Sequence, residues 1–313
     1  MTIRDELQAA LRRGCTALDS SGMEAVKRFL PLFSTVDGGF GGSNSAGQTS
    51  SDLYYTMFGY QCLEALDLHL YFGLHSPGGH RLCLEEYCKT NLDLTHLACL
   101  ARCWISLAAM EHSQMPPGLA DDILKRIESY RSADGGYAQT PASREGSAYD
   151  AFLAMGAYQD LRRPLPQSDQ LAQALEQLAT AEGGFTNSSL IPIANVPATA
   201  AAMIVLRHLG RPAERRHVEW LIRQCRIEGD FGHRGFVAWE GAPQPDLLST
   251  AVALHALKSA NASLADVRQV CREFVYIACR HESGAFRSTW GDDAMVDVEY
   301  LYYGLLACGC LAR

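Results

Sequence analysis

The sequence has no excess of positive charge, no long apolar run and no Cys-x-x-Cys pair, and each absence removes a class of protein. Lys and Arg number 27 against 35 Asp and Glu, a net charge of -8. That balance argues against nucleic acid, and against an anionic membrane surface, as the main partner. The short basic pairs Arg12, Arg13 and Arg215, Arg216 do not overturn it. No stretch reaches the roughly 18 uncharged apolar residues of a membrane helix, so no transmembrane segment is expected. The first turn of chain carries Arg4, Asp5 and Glu6 without an apolar core, unlike a secretory signal. The cysteines number 11, an odd count, and several sit on apolar helical faces, such as Cys99 and Cys103 or Cys308 and Cys310. Buried reduced thiols, and with them a cytoplasmic location, are therefore expected rather than disulfides or a zinc cluster.

What is present is a repeat. Asp37-Gly-Gly-Phe40, Asp134-Gly-Gly-Tyr137, Glu182-Gly-Gly-Phe185, Glu228-Gly-Asp-Phe231 and Glu282-Ser-Gly-Ala-Phe286 share one pattern of acid, small residues and aromatic. By residue number their aromatics lie 97, 48, 46 and 55 positions apart, and 97 is close to twice 48, so a degenerate unit is expected near Glu85 to Asp93. Each unit reads as a helix, the glycine turn, a polar loop and a second helix. Ser168 to Ala181 and Glu214 to Cys225 carry charge on one face, whereas Pro197 to Gly210, Asp246 to Leu257 and Asp297 to Cys310 are apolar almost all round.

Six such hairpins are best satisfied by two concentric rings with the apolar helices inside: an all-α (α/α)6 toroid forming one domain over residues 1–313, the N-terminal helices of 1–34 packing as part of the ring. An open superhelical solenoid is the alternative. Glycine supplies the positive φ of each turn, and the aromatic after it packs between repeats.

These segments resemble the repeats of the prenyltransferase and squalene-cyclase superfamily, which includes protein prenyltransferase β subunits and class II terpene cyclases. The likeness runs from Asp37 to the C-terminus. It is carried most closely by Ser51-Asp-Leu-Tyr-Tyr-Thr56, Asp246-Leu-Leu-Ser-Thr250 and Trp290-Gly-Asp-Asp-Ala-Met-Val-Asp-Val-Glu-Tyr300. The departures matter equally. The zinc site of protein prenyltransferases would need a Cys and a His where this chain has Leu248 and Tyr300, so no zinc is expected. Arg234 matches a basic residue of the family's diphosphate pocket, but Asn195 replaces a His there. The Asp-x-Asp-Asp acid motif of the cyclases has its counterpart in Asp297-Val298-Glu299-Tyr300, with Glu299 in the central acid's place.

Parallel inner helices would bring their first turns together at one mouth. Asp52, Asp246 and Asp297 suit N-cap positions, where backbone N–H groups and the helix dipole hold a carboxylate ionised. Glu299, one step inside its helix, is then the better proton donor, with Asp297, Asp246 and Asp52 as further candidate acids. Tyr54, Tyr55, Tyr149, Trp290, Tyr300 and Tyr303 would offer π faces to a carbocation, although aromatics at helical spacing are more often core. Asn195, His233 and Arg234 are candidates for a head group, and residues 235–245 for a flap above it. Asp292, Asp293 and Asp297 could hold Mg2+ on a diphosphate, against a default of solvated loop acids; no other cofactor is implied.

The resemblance thus implies an isoprenoid-processing enzyme, most concretely an acid-initiated class II-like cyclase of a linear polyprenyl substrate. The alternatives are a prenyltransferase β-like subunit, which alone would call for an α-subunit partner, and a non-catalytic lipid-binding or scaffolding toroid. A glycosidase or polysaccharide lyase also fits the hairpin toroid. A wide polar groove would mark the sugar enzyme, a deep apolar cavity the isoprenoid one.

Overall fold

A computed structural model describes residues 1–42, 50–68, 79–228, 234–291 and 294–312. Its helices are α1 (Ile3–Ala17), α2 (Ser20–Phe29), α3 (Leu53–Leu66), α4 (Gly79–Cys88), α5 (Leu94–Glu111), α6 (Leu119–Glu128), α7 (Ala148–Asp160), α8 (Ser168–Glu176), α9 (Val196–His208), α10 (Arg215–Arg223), α11 (Leu247–Ser259), α12 (Ala265–Glu273) and α13 (Val298–Leu311). Among the described residues the strands form two antiparallel ribbons, β1 (Thr186–Ser188) with β2 (Ile191–Ala194) and β3 (Cys225–Arg226) with β4 (Gly235–Phe236).

The odd-numbered helices α3 to α13 pack in sequence, each on the next, and α13 returns to α3. The ring is closed, as the repeat predicts, and the even-numbered helices clothe its outside. The division follows from side-chain pattern. Outer α10 buries His217, Trp220 and Leu221 and leaves Arg215 and Glu219 to pair in solvent. Inner α13 is buried at nearly every position, including Leu301, Leu305 and Cys308, because helices cover it on both sides.

The glycine turns share one construction. In four of them the glycine two residues before the aromatic takes positive φ: 94° at Gly38, 89° at Gly135, 103° at Gly183 and 87° at Gly284. Each is locked by an antiparallel bridge from the aromatic to the residue six before it, as in Ser34 with Phe40 and Ala179 with Phe185. In three of the four the aromatic carbonyl then accepts the N–H of the inner helix's cap, from Asp52 to Phe40 at 2.9 Å, from Ser147 to Tyr137 at 2.8 Å and from Asn195 to Phe185 at 3.1 Å. The turn therefore seats the helix start as well as reversing the chain.

Two expectations about the repeat change. In the fifth unit it is Phe236, fully buried, whose carbonyl accepts the cap N–H of Asp246 at 3.2 Å; Phe231 lies outside the described residues. Counted from Phe236, the aromatics of units four, five and six are 51 and 50 residues apart, so the unit is more regular than the Glu228 motif suggests. In the second unit, outer α4 passes to inner α5 through residues 89–93 without an acid-glycine-aromatic turn.

The helix α1 lies across the C-terminal ends of the inner helices. Its Ile3 N–H donates to Gln159 Oε1 at 2.7 Å, Arg4 pairs with Glu64, and Gln8 donates to Gln61 Oε1 at 2.9 Å. Gly14 and Gly309 allow α1 and α13 to meet backbone to backbone: a Cβ on either would overlap a carbonyl oxygen of the other helix.

Candidate active site

Each inner helix begins at the same end of the ring with a side chain that accepts from its own first turn: Asp52, Asp93, Ser147, Asn195, Asp246 and Asp297. Capping satisfies N–H groups that a helix start otherwise leaves orphaned. With the six caps at one end the inner helices run parallel, and their first turns form a mouth with α1 as the floor.

Between mouth and floor lies a cavity of about 460 Å³, within the range typical of small-molecule sites. Its wall is a helical stripe repeated around the ring. Tyr54, Thr95, Tyr149, Pro197 and Leu248 stand nearest the mouth. Phe58, Phe152, Ala201, Val252, Tyr302 and Tyr303 form the middle, and Arg102, Ile204, His255, Leu306 and Leu7 of α1 the bottom. At 1.5 Å per residue the top and bottom layers are roughly 10 Å apart. A larger outer groove of about 830 Å³, between Thr180, Trp220 and Val267, reaches none of the candidate acids or aromatic residues of the mouth.

One side of the wall is aromatic. Phe58 packs edge-on against Tyr54 at 4.9 Å and against Tyr302 at 5.0 Å, with Tyr303 at 5.7 Å. Such contacts fix the rings relative to one another.

Glu299 adjoins this cluster. Its carboxylate accepts from the Tyr54 hydroxyl at 2.8 Å, linking α13 to α3 across the ring seam. It is 8% exposed. Burial raises its proton affinity, the hydroxyl of Tyr54 opposes that and nearby Asp297 adds to it, leaving its pKa at about 7. Tyr54 lines the cavity and Glu299 does not, so the carboxyl borders the void through the ring it is bonded to.

The other residues singled out from the sequence divide by place. Asp52 is a cap at the exposed rim, accepting from Tyr54 N at 2.7 Å. Asp297 is a buried cap that accepts from Glu299 N at 3.0 Å and Tyr300 N at 3.2 Å. Asp246 caps α11, accepting from the N–H and hydroxyl of Ser249, each at 2.7 Å. The expected lowering of its pKa is reversed: loss of water around the half-buried carboxylate outweighs those hydrogen bonds and shifts it upward. Tyr149 and Tyr303 line the cavity; Tyr300 is buried beside Glu299, and Tyr55 packs under Gly42. Trp290 is 42% exposed and outside the cavity wall. Asn195 is occupied as the cap of α9, accepting from Ala198 N.

Arg234 does not join the mouth. It pairs with Glu273 on outer helix α12 at 2.7 Å, in a surface ion pair. The segment 235–245, expected as a flap, is tied down where Trp239 bridges to Asn195 and Ala238 accepts the Val196 N–H. His233, Asp292 and Asp293 lie outside the described residues. Leu248 stands in the wall where a thiolate ligand would be needed for zinc. Among the described residues no group of three or more His, Cys, Asp and Glu is arranged to hold a metal ion, and no helix is long and apolar enough to cross a membrane.

Sequence reasoning passed over Arg102 and His255. The signal was there: each is an ionisable residue flanked by apolar neighbours, eight positions after the first residue of an inner helix.

Comparison with known proteins agrees with this architecture. Solved structures similar to the chain include the type II terpene cyclase MstE from Scytonema bound to geranylgeranyl dihydroxybenzoate, at TM-score 0.61 and 13% identity over 97% of both chains. Candida albicans protein geranylgeranyltransferase-I complexed with GGPP gives 0.60 and 14%, over 97% of this chain and 90% of that one. An alpha-1,6-mannanase of Salegentibacter sp. in complex with alpha-1,6-mannotetrose gives 0.61 and 12%, over 98% of both. The fold thus serves both isoprenoid and sugar enzymes. No curated protein sequence matches the chain. The family profile of the prenyltransferase alpha-alpha toroid domain matches residues 9–188, 80–232 and 155–313, and the chain belongs to that family.

Proposed function

We propose that this toroid binds a linear isoprenoid in its central cavity and cyclises it by protonation, with Glu299 as the acid. The observation that carries the reading is a carboxyl with its pKa raised to about 7, hydrogen-bonded to a tyrosine in the wall of a deep, aromatic-lined cavity. Near neutral pH such a group keeps its proton in a good part of the molecules, as a general acid must.

The π electrons of a terminal alkene take the proton of Glu299 to form a C–H bond, which leaves a tertiary cation. The next alkene attacks that cation, closing a ring and moving the charge along the chain. Loss of a proton at the end restores an alkene, so the net change is an isomerisation. Tyr54, Phe58 and Tyr303 offer π faces to the travelling charge, and the apolar wall keeps water from trapping it.

The cavity's apolar lining speaks against a polysaccharide substrate, and Leu248 against thiol activation by zinc. The test is incubation of purified protein with linear isoprenoids of several lengths, with and without a terminal epoxide, diphosphate and Mg2+. Cyclic product is expected from at least one, and Glu299→Gln should lower its rate by orders of magnitude while ligand binding persists. Absence of any cyclic product, or normal turnover by Glu299→Gln, sinks the assignment.

A further inference from the structure

At its lower end the hydrocarbon wall of the cavity is interrupted by Arg102 on α5 and His255 on α11. Arg102 donates through Nε to Asp160 Oδ2 at 2.8 Å, with side chains 11% and 1% exposed. That bond uses one of the five N–H donors of a guanidinium. It is not the two-pronged fork an arginine and a carboxylate commonly form, since Asp160 Oδ1 has no hydrogen-bond partner. The two Nη groups make no hydrogen bond to any described residue, and the side chain forms part of the cavity wall. His255, 6% exposed, likewise leaves Nε2 without a partner. Buried donors and acceptors are nearly always satisfied, so two unsatisfied groups at the blind end of one void point to a ligand atom.

Charge decides what kind of atom. Asp160 already balances Arg102, and burial pushes the His255 imidazole down to about 4, which leaves it neutral at physiological pH. The remaining lower wall is Leu7, Ile204 and Leu306. Arg207, near His255, is already paired with Glu6, and the lining residues offer no unpaired cation, so an anion such as a diphosphate would be desolvated there at a strongly unfavourable cost. An uncharged oxygen needs only the donors on offer.

Resting on the isoprenoid reading of the cavity, we propose that its floor receives an uncharged oxygen, an alcohol or a carbonyl, at the far end of the ligand, hydrogen-bonded by the Nη groups of Arg102. The ligand then enters oxygen first and leaves its olefinic end beside Tyr54 and Glu299. The substrate class narrows from isoprenoid hydrocarbons and diphosphates to neutral oxygenated isoprenoids.

Calorimetric titration tests this, using Glu299→Gln protein so that binding is read without turnover. The probes are farnesol, farnesal, the hydrocarbon farnesene and farnesyl diphosphate. Transfer out of water alone favours the hydrocarbon. Farnesol or farnesal should nevertheless bind at least about tenfold more tightly than farnesene, as a hydrogen bond to a charged donor allows. Removing Arg102 alone would strand Asp160, so the comparison is the double variant Arg102→Met/Asp160→Leu, which replaces the ion pair with apolar groups. In it the advantage of the oxygenated probe should vanish while farnesene affinity stays within about twofold. Equal affinities in the parent, an advantage that survives in the double variant, or tightest binding by the diphosphate each overturns the proposal. Failure of all four probes to bind would instead overturn the isoprenoid reading and this proposal with it. Binding as expected without cyclic product would leave the floor site standing and remove only the acid chemistry.

Discussion

Replacing Glu299 by Gln should stabilise the folded protein at alkaline pH and change it little at acidic pH. Folding raises the pKa of Glu299 from 4.5 to about 7, so the native state resists its ionisation. Below the unfolded value both states are protonated and the group makes no difference. Between pH 4.5 and 7 the unfolded chain gives up its proton while the folded one keeps it, and stability falls as pH rises. Above the folded value the full cost is in place, about 3 kcal/mol at 1.36 kcal/mol per pKa unit. Roughly 2.5 kcal/mol of that falls between pH 5 and pH 8. Gln has no proton to lose, and its amide oxygen can still accept from the Tyr54 hydroxyl. Urea denaturation of the parent and variant at pH 5 and pH 8 reads the difference directly. The variant's advantage should be under about 1 kcal/mol at pH 5 and about 3 kcal/mol at pH 8. An advantage that does not grow with pH, or a variant less stable at pH 8, refutes the buried-acid account of this residue.

Two further measurements probe the scaffold. At Gly183, with φ 103° and its Cβ direction aimed at the Arg216 carbonyl, Ala should cost about 1 to 3 kcal/mol in chemical denaturation, and an unchanged midpoint would contradict the strained-turn reading. Phe236→Ala should cost about 3 to 5 kcal/mol, matching Phe185→Ala; a loss below about 1 kcal/mol would remove Phe236 from the repeat position assigned to it.

The ring was legible in the sequence because its determinants are local and repeated. The glycine turn needs positive φ, and the inner helices announce themselves by an apolar surface that only a covered helix can carry, as Leu301 to Leu311 shows. The second hairpin was not legible in detail, since α4 reaches α5 without the turn that marks the others. Phe231 shares the local motif, but only three-dimensional pairing identifies Phe236 as the residue that seats the cap of Asp246. Asp246 illustrates a second limit. Capping and burial push its proton affinity in opposite directions, and the sequence reveals the cap but not the depth. Arg102 and His255 became informative only once their unused donors and acceptors were seen at the end of a void.

The seam where α13 meets both α1 and α3 also bears on how the chain must be made. Tyr54 and Glu299 lie 245 positions apart in sequence, and Gly14 touches Leu305 across a still longer span. A chain emerging from the ribosome can stack its hairpins one by one through near-neighbour contacts, but it cannot finish the circle until α13 is released. Until then the inner faces of α1, α3 and α11 present open apolar surface, the state in which larger proteins are most prone to aggregate. A nascent chain lacking Val298–Leu311 should therefore depend on chaperones far more than one that has it, that fourteen-residue helix acting as the clasp.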